Sequence, residues 1–586
     1  MQSDKDRISI EEVQSKVEKA YAAWQKYRTF SQEQIDAIVE RMAEAGRTHA
    51  RRLAELAVEE TGYGNAQDKL AKNLLCADVL PRKMRGLKTV GVLREIPDER
   101  VVEIGVPVGV VAAILPTTNP TSTAIFKSLI ALKAGNSIVL SPHPHAVRCT
   151  CETASVLYKA AREAGAPEDI IGCITTPTLE ATNALMRHER TGIILSTGGH
   201  GIVKAAYSSG KPALGVGPGN VPALIERSAD VADAVAKIVE GKSFDYGTVC
   251  SSEQAIIAEE SLRDRIVSEL KKRKVFFCNA AQKDALSRLL VTPQFTINPK
   301  CVGQAAPKIA KMAGFEVPAD TPVIVVELDG VGREHPLSAE KLSPVLALYF
   351  VKDFAAALKV SAGLLRFGGL GHTCVIHSQD DARIREFALA MPAFRVLVNT
   401  PAPQGSTGIT TNVWPSMTLG CGAIAGNVTS DNIGPLHLIN IKRLAYAVRR
   451  PEEAFTAVKP AVASKPDDKK VERETLVAAV ERYLSGRGIN ARGASSGAAS
   501  DVVDRFLQKR QAGGRVSTGS PAPSCSAPAA APAPQITVVD FVCEEDVRQA
   551  VQAGRKIYIG PRTIVTPLAR ELGERSDILV MAERRG

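Results

Sequence analysis

Cys250 lies in a segment of small and polar residues, Ser-Phe-Asp-Tyr-Gly-Thr-Val-Cys-Ser-Ser-Glu, at positions 243–253. A thiolate attacks carbonyl carbons readily, and at an ordinary cysteine pKa of about 8.5 a few per cent is ionised at neutral pH. A buried structural cysteine is the alternative, because free cysteines are among the most buried residue types. The local sequence leaves both interpretations open.

Asn119 offers a second polar group, an amide, in the segment Pro-Thr-Thr-Asn-Pro at positions 116–120. Asparagine followed by proline is a good helix start, so this residue could serve only as a cap. In the functional interpretation, the amide donates a hydrogen bond to the oxyanion that forms on an attacked carbonyl. Loss of one such donor typically costs about 3 to 4 kcal/mol of transition-state stabilisation.

A glycine-rich turn, Ser-Thr-Gly-Gly-His-Gly at positions 196–201, opens another helix. Glycines let the chain approach a phosphate closely, and the first-turn amides of a helix favour an anion. Turns of this composition also serve packing alone, and by itself the motif does not decide between the two.

Short apolar runs, each followed by a helical pattern, must position these groups. They are Val108–Leu115, Ser137–Leu140, Ile170–Ile174, Gly192–Leu195 and Ala213–Val216. Such alternation predicts an α/β fold in which helices cover a parallel sheet. Ligands of these sheets bind beyond the carboxyl ends of the strands, so the residues just after each run are the candidates for binding.

The composition is that of a large globular protein: 586 residues, 45% hydrophobic, with 11 cysteines and a net charge of +10. The odd cysteine count, without framework-like spacing, favours a reducing compartment. The polar N-terminus and the lack of long apolar runs predict an intracellular protein without a membrane segment. Because basic residues are scattered among acidic ones, we expect no nucleic-acid partner.

The chain divides near residue 450, where alternating strands and helices give way to sequence rich in Ala, Pro, Ser and Gly. In Pro521–Gln535, eleven of fifteen residues are Ala or Pro, a composition typical of a linker. Residues 451–535 are therefore interpreted as a flexible linker, and residues 536–586 as a small α/β segment of unknown role.

Two stretches within the linker region place apolar residues on one helical face. They are Leu476, Val480, Tyr483 and Leu484, and then Val502, Val503, Phe506 and Leu507. Short amphipathic helices on flexible tethers usually dock onto a partner. A helix that folds back on its own enzyme domain is the alternative.

The motifs together resemble the aldehyde dehydrogenase superfamily, most closely its CoA-acylating branch, over roughly residues 5 to 450. They occur in order and in register: Pro-Thr-Thr-Asn-Pro, Ser-Thr-Gly-Gly, Gly-Val-Gly-Pro-Gly-Asn (215–220), Phe-Asp-Tyr-Gly-Thr-Val-Cys and Glu-Lys-Leu-Ser-Pro-Val (340–345). The resemblance implies a Rossmann-type NAD-binding domain over 1–219, a catalytic domain over 220–410, and a return segment over 411–450 that extends a partner's sheet.

The same resemblance assigns roles to residues. It makes Cys250 the nucleophile and Asn119 half of the oxyanion hole, and it places Glu340 on the nicotinamide ribose, although a glutamate before Leu-Ser-Pro would by itself usually be a solvated surface residue. The remaining residues that it implies for cofactor binding are Thr117, Ser141, Pro142, Ser196, Thr197, Gly198, Gly199, Gly215 and Gly217.

Two departures from the wider superfamily are informative. Hydrolytic members usually carry a glutamate, the base that activates water, at the position of Gly215. General-base help is typically worth about 10² to 10⁴ in rate, and a thiol needs less of it than water, so coenzyme A is the expected acceptor. The lysine that commonly contacts the adenosine ribose is replaced by Ser141, which suggests easier release of the reduced cofactor. NAD is favoured over NADP by the resemblance.

His143, His145, Cys149 and Cys151 form a tempting zinc cluster, but their spacing lacks the usual Cys-x₂₋₄-Cys pattern, and residues two apart on a helix face different directions. We therefore expect no metal. His372, in Gly-Leu-Gly-His-Thr (369–373), is a candidate for lining the substrate or CoA pocket, with a core or turn histidine as the alternative.

The resemblance implies oxidation of a short-chain aldehyde to acyl-CoA, with propionaldehyde preferred and acetaldehyde next. It also implies a dimer or tetramer. The likeness to microcompartment enzymes, which can carry encapsulation peptides, suggests a cytoplasmic protein inside a bacterial microcompartment, with a shell or core enzyme as partner of the C-terminal extension. The alternatives are a hydrolytic aldehyde dehydrogenase and a non-catalytic scaffold on this fold.

Overall fold

The computed structural model describes residues 4–292, 295–455, 473–475, 477–479, 504 and 538–581. The chain separates into two units, Met1–Ala457 and Val458–Gly586, each of which is described by itself. The strands of the first unit are β1 (Gly91–Ile96), β2 (Val101–Pro107), β3 (Val110–Ile114), β4 (Ser137–Ser141), β5 (Ile171–Cys173), β6 (Thr191–Thr197), β7 (Ala213–Val216), β8 (Val221–Ile225), β9 (Glu253–Glu259), β10 (Phe276–Phe277), β11 (Ile324–Glu327), β12 (Val345–Val351), β13 (Gly371–His377), β14 (Ala393–Val398) and β15 (Ile439–Ala445).

The helices of the first unit surround these strands. They are α1 (Asp4–Tyr27), α2 (Gln32–Thr61), α3 (Ala66–Leu74), α4 (Leu80–Met84), α5 (Pro120–Lys133), α6 (Val147–Glu163), α7 (Leu179–Arg187), α8 (His200–Tyr207), α9 (Val231–Ser243), α10 (Arg263–Lys272), α11 (Ala280–Leu290), α12 (Ala306–Met312), α13 (Phe354–Leu364), α14 (Asp381–Ala390), α15 (Ala402–Ser406) and α16 (Pro451–Ala454).

The predicted parallel α/β fold is confirmed. Each of the five apolar runs forms a strand, and together they make a five-stranded parallel sheet in the order β5-β4-β3-β6-β7. β3 and β4 are buried at every position, as expected for strands covered on both faces. Helix α5, which starts at Pro120, is buried along its whole length.

A second parallel sheet follows, with seven strands in the order β10-β11-β12-β9-β8-β13-β14. The chain passes from the first sheet to the second between Val216 and Val221, close to the boundary that the sequence predicts at residue 219. Cys250 lies just before β9, a central strand of this sheet. Beyond the carboxyl end of β14, the chain returns to form β15.

Strand β15 pairs with β2 in a separate antiparallel sheet of order β1-β2-β15. This return segment lies within the predicted range 411–450. Among the described residues, β15 pairs with a strand on one side only, and Ile441 and Leu444 on it are about half exposed.

The N-terminal helices form a layer that approaches the cysteine loop. Helix α3 begins at Asn65, whose side chain accepts a hydrogen bond from the Asp68 amide at 2.9 Å, the usual way to satisfy a free N–H at a helix start. Lys69 and Lys72 follow three residues apart, so their side chains lie on the same face of the helix.

Within the second unit, residues 538–581 form a small parallel sheet of strands β16 (Val538–Val542), β17 (Ile557–Val565) and β18 (Leu579–Met581), with helices α17 (Glu544–Gln552) and α18 (Pro567–Arg575) between them. The apolar positions of the two tail stretches, Leu476 to Leu484 and Val502 to Leu507, and the linker Pro521–Gln535 lie outside the described residues. Among the described residues, no helix combines the length and apolar character needed to span a membrane.

Candidate active site

Cys250 lies next to an imidazole. Its Sγ atom is 3.3 Å from Nε2 of His372, which lies at the start of β13. Cys250 is partly exposed, whereas His372 is fully buried. The structure therefore places the predicted nucleophile and the predicted pocket histidine in direct contact.

The other face of the imidazole is held by a short hydrogen-bonded chain. Nδ1 of His372 is 2.9 Å from Oγ1 of Thr373, and Nε of Arg395 donates to that hydroxyl oxygen at 3.3 Å. An arginine can only donate, so the hydroxyl accepts from it and has its own proton to give to Nδ1. We infer that the ring proton of the neutral imidazole is on Nε2 and faces the sulfur.

Both groups are uncharged at neutral pH in the free protein. Burial raises the pKa of the Cys250 thiol to about 12, the negative charge of Glu340 adds to this, and Arg395 opposes it. Burial also lowers the pKa of His372 to about 3, with the charge of Arg395 acting in the same direction. The pair therefore rests as thiol and imidazole, and an Nε2–H donor would favour the thiolate when it forms.

The chain reaches Cys250 through an unusual turn. Asp245, Tyr246 and Gly247 all have positive φ, at 48°, 52° and 73°. For residues other than glycine, this left-handed conformation costs about 1–2 kcal/mol each. The turn must therefore be held by its surroundings.

Helix α3 and the residue before it hold this turn at Asp245, which is fully buried. The Asp245 amide donates to Oδ2 of Asp68 at 2.7 Å, and Oδ1 of Asp245 accepts from the Asn65 amide at 2.9 Å. Nζ of Lys69, at 3.0 Å, and Nζ of Lys72 both donate to Oδ2. Burial opposes ionisation of Asp245, but the two lysines outweigh it and hold the pKa of this carboxyl below its ordinary value.

Gly64 is required by this arrangement. A Cβ atom there would lie 1.8 Å from Oδ1 of Asp245, and φ at Gly64 is +71°. Any side chain would therefore displace the carboxylate that organises the turn.

Asn119 also contacts Lys72, the lysine that donates to Asp245. It begins α5, but its side chain makes no capping hydrogen bond. Instead, Oδ1 accepts from Nζ of Lys72, and Nδ2 donates to Oγ1 of Thr118 at 3.0 Å. The capping interpretation of the side chain is therefore excluded, and its amide belongs to the same contact network as the cysteine loop.

Gly219 lies between Glu340 and the backbone of Cys250. The Gly219 amide donates to Oε1 of Glu340 at 3.2 Å, and a Cβ at Gly219 would lie 2.0 Å from the carbonyl oxygen of Cys250. Glu340 is only 8% exposed, so it is not the solvated surface residue that its local sequence suggests. Burial raises the pKa of its carboxyl to about 8.

Gly215 is packed under an aromatic ring. A Cβ there would lie 2.8 Å from Cγ1 of Val203 and 3.1 Å from Cε2 of Tyr207. The Tyr207 hydroxyl accepts from the Gly215 amide at 3.0 Å and is 3.2 Å from its carbonyl oxygen. A glutamate is therefore missing here, and the space that its first side-chain atoms would need is taken by α8. Gly217, in contrast, has open space at its Cβ position.

The turn after β6 is the phosphate-binding turn that the sequence predicts, and its backbone is open. Gly199 immediately precedes α8, and neither Gly199 nor Gly201 has an atom within 4 Å of its Cβ position. The buried hydroxyl of Ser196 has no partner among the described residues. Open backbone at a helix N-terminus next to an unpaired hydroxyl is the environment that a phosphate oxygen requires.

The other residues predicted to bind the cofactor differ in their contacts and in their exposure. Oγ1 of Thr197 is 3.4 Å from Oγ1 of Thr418, and Gly198 approaches Ile202 closely. Ser141 is buried, with Oγ 3.1 Å from Oγ1 of Thr182. The Ser141 hydroxyl is thus occupied, and Pro142 next to it is buried as well. Thr117 is partly exposed in the turn before α5.

The four residues of the considered zinc cluster do not converge. Cys149 is buried with Sγ 3.6 Å from the carbonyl oxygen of Ala146, whereas Cys151 points to Cys173 with the two sulfurs 2.9 Å apart. Among the described residues, no three His, Cys, Asp or Glu side chains are arranged to hold a metal ion.

Sequence reasoning did not find several residues that complete the site: Lys69, Lys72, Asp245, Thr373, Arg395 and Tyr207. Their contacts join distant parts of the chain, for example Lys72 and Asp245 at a separation of 173 positions. Asp245 lies within the quoted cysteine motif, and its position in that motif was the available signal.

The comparisons with known proteins agree with this geometry. The sequence profile of the aldehyde dehydrogenase family matches residues 4–283. A solved acetylating aldehyde dehydrogenase of Geobacillus thermoglucosidasius is 51% identical and covers 76% of this chain and 99% of its own, with a TM-score of 0.75. A solved propionaldehyde dehydrogenase from the fucose utilisation bacterial microcompartment of Clostridium phytofermentans is 28% identical and covers 75% of this chain and 99% of its own, with a TM-score of 0.67.

Among curated proteins, the bifunctional aldehyde-alcohol dehydrogenase AdhE of Escherichia coli K12 is 42% identical over 442 residues, which are 75% of this chain and 50% of that protein. The chain thus spans about half the length of this curated relative. Identity and coverage at the level of the Geobacillus enzyme are decisive for family membership: the chain belongs to the aldehyde dehydrogenase family and, within it, to the CoA-acylating branch.

Proposed function

We propose that this protein oxidises a short-chain aldehyde to acyl-CoA, with NAD as hydride acceptor and coenzyme A as acyl acceptor, through a thioester on Cys250. The contact of Cys250 with His372 is the observation that carries this proposal. It supplies a thiol on a partly exposed residue, with a hydrogen-bond partner beside the sulfur.

The residues around Cys250 have separate tasks in this reaction. The Cys250 thiolate forms a bond to the aldehyde carbon, and Nε2–H of His372 stabilises the thiolate before attack. The Asn119 amide donates to the oxyanion that results, and that oxyanion must collapse as a hydride leaves the same carbon. The Ser196–Gly199 turn would hold NAD, which would supply the hydride acceptor, and loss of the hydride leaves a thioester on Cys250.

The second half of the reaction needs a nucleophile. Coenzyme A thiolate attacks the thioester carbon, the Cys250 sulfur leaves as thiolate, and acyl-CoA is released. Water is a poor competitor because Gly215 provides no carboxylate and Tyr207 packs against it. A thiol ionises far more easily than water and therefore needs less general-base help.

A hydrolytic aldehyde dehydrogenase is the second candidate, and Glu340 is the observation that favours it. This carboxyl group raises the pKa of Cys250 through its charge, so it lies within electrostatic reach of the sulfur. If Glu340 activated water, the product would be free carboxylic acid and coenzyme A would be unnecessary.

An assay of NADH formation from propionaldehyde and acetaldehyde, with and without coenzyme A, separates these functions when products are identified by mass spectrometry. We expect acyl-CoA as the main product and no sustained turnover without coenzyme A. Cys250→Ala should abolish NADH formation, whereas the control Cys278→Ala, at another partly exposed cysteine, should keep it. Free acid as the main product would support the hydrolytic function, and inactivity of the wild type under every condition would contradict the proposed function and support a scaffold.

We also propose propionaldehyde as the preferred substrate, with acetaldehyde next, and a bacterial microcompartment as the location. The likeness to the Clostridium phytofermentans microcompartment enzyme supports both proposals. Pocket shape decides such preferences at about 1 to 3 kcal/mol per methylene. The ratio of kcat/KM for the two aldehydes tests the first, and co-purification of the full chain with shell proteins, compared with a chain ending at residue 457, tests the second.

A homo-oligomer, a dimer or tetramer, is proposed from the open edge of β15. Exposed apolar residues lie along and after this strand: Ile441, Leu444, Tyr446 and Val448. An unpaired, apolar strand edge favours pairing with another chain. Sedimentation of the wild type and of a Leu444→Lys variant tests this, and a monomeric wild type would contradict it.

A further inference from the structure

The ammonium group of Lys72 is fully engaged inside the protein. Lys72 is 2% exposed, and its Nζ donates to three oxygens: Oδ1 of Asn119, Oδ2 of Asp245 and, at 3.5 Å, Oγ1 of Thr248. An ammonium has three donors and no acceptor, so these contacts use all of them. One buried cation thus connects the start of α5 with the turn that leads to Cys250.

This contact determines which end of the Asn119 amide faces Lys72. Because an ammonium cannot accept a hydrogen bond, the amide atom next to Nζ must be the oxygen, and the NH₂ group must point away from the buried lysine. Asn119 is partly exposed, whereas Lys72 is buried, so the NH₂ group points away from a buried cation on a residue that solvent reaches. Within the described part of the chain, Nδ2 donates to Oγ1 of Thr118 only, which leaves its second hydrogen for a ligand.

The cation also acts on the donor strength of this amide. A positive charge at the carbonyl oxygen draws electron density from the amide nitrogen and makes its N–H groups stronger donors. Asp245 balances one positive charge, and Asp68, which accepts a hydrogen bond from the Asp245 amide, balances a second. The polarisation of the amide therefore comes from the direct contact of Nζ with its oxygen and not from a net charge of the group.

We propose that Lys72 is a positioning residue for the reaction: it fixes the Asn119 amide with its NH₂ group toward the substrate and polarises that group for the oxyanion. This inference rests on the proposed function, because it needs an oxyanion on the carbon that Cys250 attacks. Lys72 itself does not contact the reacting atoms.

Lys69 provides a matched control. It is equally buried and donates to the same oxygen of Asp245 at 3.0 Å, but its other contact is the carbonyl oxygen of Thr118 and not the Asn119 side chain. Lys69→Met therefore removes the same charge from the same aspartate and leaves the amide contact in place.

The test is a double-mutant cycle on kcat with Lys72→Met, Lys69→Met and Asn119→Ala in the full chain. We expect Asn119→Ala to lower kcat about 10²- to 10³-fold and Lys72→Met about 10- to 100-fold, as for a misplaced catalytic group. In the Asn119→Ala background, the loss from Lys72→Met should shrink to about that from Lys69→Met, which removes the same kind of contact with Asp245, whereas the loss from Lys69→Met should be the same in both backgrounds. An equal loss from Lys72→Met in both backgrounds, or a kcat within twofold of the wild type, would overturn the proposal.

A crystal structure of Lys72→Met gives a readout that does not depend on activity. We expect the Asn119 amide to rotate, and an unchanged amide would contradict the role of Lys72. If the wild type forms no NADH from any aldehyde, the proposed function fails, and this structure alone decides the inference. If Lys72→Met does not fold, Lys72→Leu replaces it in the same cycle and crystal structure, because leucine has neither a donor nor a charge.

Discussion

Nε2 of His372 lies 3.3 Å from the sulfur of Cys250, although 122 positions separate the two residues in the chain. Thr373 and Arg395 contact each other behind the ring, and the tautomer that we infer from these contacts has Nε2–H facing the sulfur. The histidine can therefore stabilise a thiolate without becoming charged, which agrees with the low pKa that burial gives it.

Removal of the contact between His372 and Cys250 should slow the reactions of the Cys250 sulfur. A hydrogen bond to a charged group is worth about 1.5–3 kcal/mol, so His372→Ala should lower the alkylation rate of Cys250 and kcat by about 10- to 100-fold. Thr373→Val, which leaves the ring but removes its tether, should have an intermediate effect. His335→Ala, at a histidine paired with Asp329, is the control, and equal rates for His372→Ala and wild type would exclude the role.

The alkylation of Cys250 should depend steeply on pH. Because burial raises the pKa of this thiol to about 12, only a small fraction of Cys250 is thiolate at neutral pH. That fraction increases as the pH rises toward the pKa. We expect the rate with iodoacetamide, followed by mass spectrometry of the Cys250 peptide, to rise about tenfold per pH unit from 7 to 10. A plateau near pH 8.5 would show an ordinary thiol.

Glu340 should disfavour the Cys250 thiolate only at pH values at which its own carboxyl group is ionised. Its pKa is raised to about 8 by burial, so the carboxyl group is mostly neutral at pH 6.5 and mostly charged at pH 9.5. Glu340→Gln should therefore speed alkylation of Cys250 severalfold at pH 9.5 and leave it nearly unchanged at pH 6.5. The same ratio at both values would indicate a steric and not an electrostatic effect.

Gly62 and Gly64 allow the Asp245 turn to be tested with a matched pair. Both have positive φ, +68° and +71°, but a Cβ meets nothing at Gly62 and meets the Asp245 carboxylate at Gly64. Gly62→Ala should cost about 1–2 kcal/mol of unfolding free energy and keep activity. Gly64→Ala should cost more in urea unfolding and also lose activity, and equal behaviour of the two variants would disprove the importance of the turn.

The crowding at Gly215 predicts the result of restoring a glutamate there. Gly215→Glu alone should lower the unfolding free energy by about 1–3 kcal/mol through overpacking against Tyr207 and still yield acyl-CoA. Gly215→Glu combined with Tyr207→Ala provides space, and carboxylic acid should then appear among the products. Acid formation by the single variant at wild-type stability would show that Tyr207 does not restrict this position.

The fold was accessible from the sequence because apolar runs and turn residues are local signals. The strands β3 to β7 follow directly from such runs, and the helix start at Asn119 and Pro120 follows from their conformational preferences. The contact of Asn119 was not accessible, because its partner Lys72 lies 47 positions away on a helix that reads as ordinary amphipathic sequence.

The chemistry at Cys250 divides in the same way. The motif around Cys250 marks a candidate nucleophile, and Gly215 marks a missing base. The packing of Tyr207 on Gly215, the strained conformation at Asp245 and the burial of Glu340 depend on tertiary contacts that no short segment encodes. His372 was predicted only in part, because its motif suggested a residue that lines a pocket but did not indicate its contact with Cys250.

Helix α3 lies in the N-terminal helical layer, outside the two parallel sheets, and its side chains hydrogen-bond to Asp245 in the loop that leads to Cys250. A fragment that starts after α4 would contain every strand of both parallel sheets, but it would lose the contacts that hold the cysteine loop and the core residues that α1 and α2 pack against the first sheet. Recombination or grafting of this catalytic body into another protein would therefore need to transfer the N-terminal helices with it, because they support both the reactive loop and the core.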